Sequence, residues 1–141
     1  MTPGSRDEPK RELPNLKYAR VTDIIIGVFY QVYGELGYGF LESVYRNALS
    51  IGFNAAGLSV QREVPLTVYF QRKVVGKFRA DFLVEFVVLV EVKTVSAITD
   101  AHQAQLLNYL KCTDVEVGLI LNFGERSSFK RLVFDRSRKL R

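Results

Sequence analysis

Four side chains in this sequence are of the kind that hydrolytic chemistry uses: Glu42, Asp81, Glu91 and Lys93. Two of them close an apolar run, Val87-Val88-Leu89-Val90-Glu91-Val92-Lys93. Side chains alternate along a strand, so Glu91 shares a face with Val87 and Leu89, and Lys93 follows on that face. An ionised carboxylate buried there without compensation either destabilises the fold or takes up a proton. Lys93 can compensate it as an ion-pair partner; a bound cation can do so with the ammonium held alongside. Asp81 stands in a second apolar run, Phe78-Arg79-Ala80-Asp81-Phe82-Leu83-Val84, although aspartate is depleted in strands. Its plain reading is a salt bridge to Arg79 or Lys93. A hairpin near Glu85-Phe86 instead returns Asp81 beside Glu91, and two converging carboxylates repel unless a cation lies between them. Hard divalent cations such as Mg²⁺ prefer these oxygen ligands and keep several waters. Glu42 alone is a first-turn glutamate favoured by the helix dipole. Gly37 and Gly39 just before it let the backbone approach closely, and Tyr45 lies three residues on, along the same helical face.

The elements that must position these groups are legible from pattern. Residues 1–15 carry Pro3, Gly4, Pro9 and Pro14 among charges and read as a disordered leader, leaving 16–141 as one domain. Val21, Ile24, Ile25, Val28, Phe29 and Val32 recur at helical spacing from Tyr18 to Tyr33. A second helix is expected from Phe40 to Ala56, with Leu41, Val44, Tyr45, Ala48 and Leu49 on one face and Gly57 as its C-cap. Val60 to Phe70 and Lys73 to Val84 read as strands joined by a turn at Gln71-Arg72. Val87 to Lys93 reads as a central strand covered on both faces. Thr99 to Lys111 returns to helix, capped by Thr99 or Asp100. Val115 to Asn122 is a further strand, and Arg131 to Asp135 a short edge strand. This order suits a mixed β-sheet flanked by helices.

One register decides whether the two carboxylates meet. Partners in an antiparallel pair have residue numbers of constant sum. Asp81 opposite Glu91 therefore requires Leu83 opposite Leu89 and Val84 opposite Val88, leaving Glu85, Phe86 and Val87 as the loop. A two-residue turn would pair Asp81 with Val90 and send Glu91 to the other face, unless a bulge restored it.

Composition narrows the function classes. A chain of 141 residues fits one domain with a core sufficient to fold unaided. Cys112 is its one cysteine and His102 its one histidine, which excludes an internal disulfide and a Cys/His zinc cage. Cys112 reads as an inert packed thiol. His102 reads as a helix-N-terminal histidine or, on the face of Gln105, as a base or supporting ligand. No apolar stretch approaches the roughly 20 residues of a membrane span, and no secretory signal is visible, so a cytoplasmic protein is expected. The net charge of +5 favours polyanionic partners. Lys130, Arg131, Arg136, Arg138, Lys139 and Arg141 crowd the C-terminus, as a solvated tail or as a phosphate-contacting arm.

Taken together, the motifs resemble a known family. Gly39-Phe40-Leu41-Glu42-Ser43-Val44-Tyr45 fits the signature GxxExxY, Asp81 followed by Glu91-Val92-Lys93 fits D…(D/E)xK, and Gln105-Leu106-Leu107-Asn108-Tyr109 fits QxxxY. The chain resembles the GxxExxY family of the PD-(D/E)xK nuclease superfamily from about residue 18 to 135, Asn122-Phe123-Gly124 included. The resemblance implies an αβββαβ core with a metal site at the opening of the sheet. It implies Asp81, Glu91 and the Val92 carbonyl as ligands of Mg²⁺ or Mn²⁺, with Glu42 binding directly or through water. Lys93 would orient or help deprotonate the attacking water, and Gln105 and Tyr109 would shape the site. Phe86 departs from the pattern, standing where an acidic turn residue often follows. The implied activity is metal-dependent phosphodiester hydrolysis in DNA or RNA. The alternatives are a catalytically inactive nucleic-acid-binding or regulatory module that retains the fold, and a structural protein in which Asp81, Glu91 and Lys93 form a buried ionic network. A homo-oligomer is compatible with either.

Overall fold

Strand chemistry dominates the middle of the chain. The β-branched and aromatic runs become β1 (Val60–Phe70) and β2 (Lys73–Val84), a long hairpin with the bounds expected. The computed structural model describes residues 18–135; the expected leader and the basic residues 136–141 lie outside them. Before the hairpin stand α1 (Ala19–Leu36) and α2 (Glu42–Ala55). After it come β3 (Val88–Lys93), α3 (Asp100–Lys111), β4 (Val117–Phe123) and β5 (Ser127–Val133). The five strands form one sheet in the order β1-β2-β3-β4-β5. Only β3 and β4 pair in parallel, and α3 connects them. The fold is thus the expected mixed sheet flanked by helices. Its last strand lies earlier than Arg131–Asp135 because pairing with β4 starts at Ser127 opposite Phe123.

Two apolar clusters cover the two faces. Ile25, Phe29, Tyr45, Leu49 and Phe53 of α1 and α2 pack on Phe82, Val88, Val90 and Val92. Leu106, Tyr109 and Leu110 of α3 pack on Leu66, Ala80, Leu89 and Ile120. Every residue of β4 is buried, as a strand covered on both faces must be. Leu41 precedes the first turn of α2 and is 77% exposed, so it leaves the apolar face assigned to it.

β2 and β3 pair as Val84↔Val88, Leu83↔Leu89 and Phe82↔Val90, the register with the constant sum. Glu85, Phe86 and Val87 form the loop. Val87 donates its N–H to Val84 at 3.0 Å, and Glu85 (φ 52°) and Phe86 (φ 60°) take the left-handed conformation between them. Val87 packs against the α1–α2 cluster and therefore does not share the face of Glu91. The pairing stops at Phe82↔Val90, whereas β2 continues beside β1 alone. The sheet opens at this point. It is also where the alternation of β2 slips: Ala80 packs with α3, yet Phe82, two residues on, packs with α2. Across from the slip, Glu63 of β1 takes φ 52°, outside the extended range of a strand.

Candidate active site

The carboxylates of Asp81 and Glu91 meet where β2 and β3 part. In place of a further ladder pair, each side chain accepts from the other strand's backbone. Glu91 Oε2 accepts the Asp81 N–H at 3.0 Å, and Asp81 Oδ2 accepts the Val92 N–H at 2.7 Å. Each carboxylate thus satisfies a backbone donor of the other's strand at the fork. Glu91 is 7% exposed. Its carboxyl is pushed up to about 8, first by burial and then by the charge of Asp81, against the Asp81 N–H and Lys93, which pull it down. Burial also raises Asp81, opposed by the Val92 N–H and then by Arg46 and Lys93. Burial is the first cause of both shifts, and at Glu91 the charge of Asp81 adds to it.

Lys93 forms no ion pair with either carboxylate among the described residues. It donates to Gln105 Oε1 at 3.3 Å. Nor does Arg79, which pairs with Glu63 at 3.1 Å, so neither salt bridge weighed for Asp81 is formed among the described residues. The cation nearest Asp81 is Arg46, at 3.7 Å from Oδ1, and its guanidinium also binds Glu42 Oε1 at 3.2 Å. Arg46 thus links two of the expected metal-binding carboxylates. Sequence reasoning passed over it, although its position four residues after Glu42 was the available signal.

Glu42 opens α2 as expected, but its setting differs in detail. Gly37 (φ 68°) and Gly39 (φ 111°) turn the chain through conformations that suit glycine; nothing crowds either one. Tyr45, three residues on, is fully buried, whereas the Glu42 side chain is 39% exposed. Its hydroxyl donates to the Gly37 carbonyl at 2.7 Å and accepts the Phe40 N–H at 3.2 Å, so it locks the loop that delivers Glu42.

From the other side α3 presents Gln105 and Tyr109, one turn apart. The Tyr109 hydroxyl is held above its ordinary pKa by burial, then by the charges of Glu91 and Asp81, which places it within their field. His102 is a capping residue. Its Nδ1 accepts the Thr99 N–H at 3.0 Å, and its own N–H reaches Thr99 Oγ1 at 3.3 Å. Cys112 corrects the expectation of a packed thiol: it is exposed, because the helix ends there. Asn122 is fully buried and pins the segment after Lys93, accepting the Val95 N–H and donating to the Val95 carbonyl, both at 2.9 Å. A side chain at Gly124 would run into that carbonyl.

The structure therefore brings Asp81, Glu91 and the backbone of Val92 together, with Glu42 tied to them through Arg46 and Lys93 tied to Gln105. Among the described residues, no three His, Cys, Asp or Glu side chains stand together as a ready metal cage. The donors that do converge are hard oxygens, and this chemistry fits a divalent cation.

The family model for the PD-(D/E)XK nuclease superfamily matches residues 19–132. No curated protein matches the chain. Among solved structures, one described as "Crystal structure of SSO0001" superposes with a TM-score of 0.53 at 19% identity, over 87% of this chain and 63% of that one. At such identity the likeness is one of fold alone, and the chain spans less than two thirds of that structure.

Proposed function

The chain belongs to the PD-(D/E)XK nuclease superfamily, and on that premise we propose that it is a metal-dependent nuclease of the GxxExxY type, hydrolysing phosphodiester bonds in DNA or RNA. The observation that carries this reading is the reciprocal hold of Asp81 and Glu91 at the opening of the sheet. Asp81, Glu91 and the Val92 carbonyl would hold Mg²⁺ or Mn²⁺, with Glu42 binding directly or through water. Such an ion, when bound, acidifies water and screens charge developing on phosphate.

The chain's own groups do the rest. In the hydrolysis, a water oxygen bonds to phosphorus, the ester P–O bond opposite breaks, and the leaving oxygen gains a proton. Lys93 orients the incoming water and neutralises a phosphate oxygen. Gln105 fixes the Lys93 ammonium in place. Tyr109, with its raised pKa, stays a neutral hydroxyl at pH 7 and donates toward an anionic oxygen. Tyr45 keeps the Glu42 loop rigid.

Calorimetric titration of Mg²⁺ and Mn²⁺ into the protein and into a Glu91→Ala variant tests this, alongside cleavage of a panel of single- and double-stranded DNA and RNA. Metal binding lost in the variant, with cleavage by the parent, supports it. Absence of binding in both sinks it. A second reading, a catalytically inactive nucleic-acid-binding or regulatory module, is favoured by one observation: the Arg46 guanidinium already bridges Glu42 and Asp81. Nucleic-acid binding without cleavage under either metal would select it.

A further inference from the structure

Beyond the fork, the distal part of the β1–β2 hairpin stands over α3, and a groove of about 690 Å³ lies between them. Val68 and Phe78 of the hairpin form one wall; Ala101, Ala104, Asn108 and Cys112 of α3 form the other. Gln105 and Tyr109 line it as well, so the groove is continuous with the candidate active site. Phe78 is 46% exposed, and its ring lies 5.8 Å from the Tyr109 ring, inclined by 38°. Beyond Glu63, which pairs with Arg79, the hairpin carries Arg72, Lys73 and Lys77 and no acidic residue as far as Ala80. It also exposes Tyr69 and Phe70, at 63% each.

We propose that this groove seats an unpaired base of a single-stranded nucleic acid, adjoining the nucleotide whose phosphodiester lies at Asp81 and Glu91, while the basic hairpin follows the strand's phosphates. The proposal rests on the nuclease reading and narrows its substrate class. Rings interleaved with cations are what a single strand requires, since every base offers a face to stack on and every nucleotide an anion to neutralise. A volume of this size belongs to the range of small-molecule sites. Bases within an intact duplex are stacked and paired, and reach such a groove only by leaving the helix. A free or frayed strand meets no such barrier. Because Tyr109 is shared, a base against Phe78 sets the distance from the stacked base to the scissile phosphate.

Cys112 provides a native probe, being the one cysteine of the chain, exposed, and in the groove wall. Its rate of alkylation by N-ethylmaleimide is measured without metal, in the presence of a 12-nucleotide single-stranded DNA, the same sequence as RNA, and the DNA as a blunt duplex. Saturating single strand, in either sugar form, slows the reaction several-fold, and the duplex does not. Phe78→Ala weakens single-strand binding roughly ten-fold in fluorescence anisotropy, the size expected for one stacked base. Ala104→Trp, on the exposed side of α3, fills the groove and produces the same loss with the melting temperature retained; it decides the matter if Phe78→Ala unfolds the protein. Equal protection by duplex and single strand, or by neither, overturns the proposal. Cleavage is read separately. Metal-dependent cleavage without Cys112 protection removes the groove and keeps the nuclease; protection without cleavage keeps the groove and removes the nuclease.

Discussion

Asp81 and Glu91 each accept a hydrogen bond from the backbone of the other's strand, Asp81 Oδ2 from Val92 at 2.7 Å and Glu91 Oε2 from Asp81 at 3.0 Å. The two carboxylates thereby close the β2–β3 ladder and crowd negative charge into one buried place. Folding and any metal chemistry act on the same oxygens.

The pH dependence follows from Glu91. Its folded pKa, about 8, lies above the ordinary 4.5. A carboxyl raised on folding binds its proton more tightly in the native state. Its stabilising contribution is thus complete below pH 4.5 and is lost as pH rises through 8. In metal-free buffer, Glu91→Gln should melt progressively higher than the parent as pH increases across that window. A difference that does not vary with pH would mean that Glu91 is ionised throughout.

Asp81 is also raised by burial. Asp81→Asn keeps an oxygen for the Val92 N–H and removes one of two repelling charges. The metal-free variant should unfold at the same temperature as the parent or higher. A loss of about 3 kcal/mol or more in denaturant titration would instead make Asp81 half of a structural ion pair with Arg46.

Lys93 makes an exposed contact with Gln105 at 3.3 Å. Lys93→Ala should leave the melting temperature within a few degrees of the parent's and reduce metal-dependent cleavage by about 100-fold or more. Unfolding in step with lost cleavage would assign Lys93 to the fold.

Arg46 occupies the space between Glu42 and Asp81 that a cation would contest. Arg46→Met should tighten Mn²⁺ binding about ten-fold in calorimetry while lowering metal-free stability by roughly 1 kcal/mol. Opposite signs in the two measurements are the signature of competition. Weaker binding in the variant would show that Arg46 supports the site.

The tip of the long hairpin is strained by its residues. Gln71 (φ 50°) and Arg72 (φ 70°) both adopt the left-handed conformation. Asn-Gly is the pair that such a two-residue turn prefers. Gln71→Asn with Arg72→Gly should stabilise the protein by about 1 kcal/mol in urea titration, with an unchanged m-value. Destabilisation would mean that these side chains are held by contacts in the native state.

The frame of the molecule was legible because its signals are local. Val60–Phe70 and Lys73–Val84 are uninterrupted strand chemistry, and one arithmetic constraint on β2 and β3 placed Asp81 toward Glu91. Thr99 and Asp100 were both recognisable as caps by type, and the geometry selects Thr99. Arg46 was not, since a pair of opposite charges four residues apart resembles any solvated helix face. Its reach to Asp81 is a tertiary fact. The left-handed Glu63 and the slip between Ala80 and Phe82 were hidden because period-two reasoning assumes an unbroken strand. Cys112 was misjudged for a related reason: amphipathic counting continues past the last turn, although the helix does not.

The slip in β2 has a mechanical consequence. On one side of it the strand is clamped between two neighbours, and on the other it is held by β1 alone. Within the sheet the hairpin is therefore anchored at Asp81, with α3 packed against it at Leu66 and Phe78 and the tip reaching beyond. A load placed near its tip, at Tyr69 or Phe70, is felt as torque at the anchor, where the carboxylate sits on the Val92 amide. Amide hydrogen exchange would read this coupling: engaging the tip should alter protection at Val92 before it alters that of Leu89, which stays within the paired ladder.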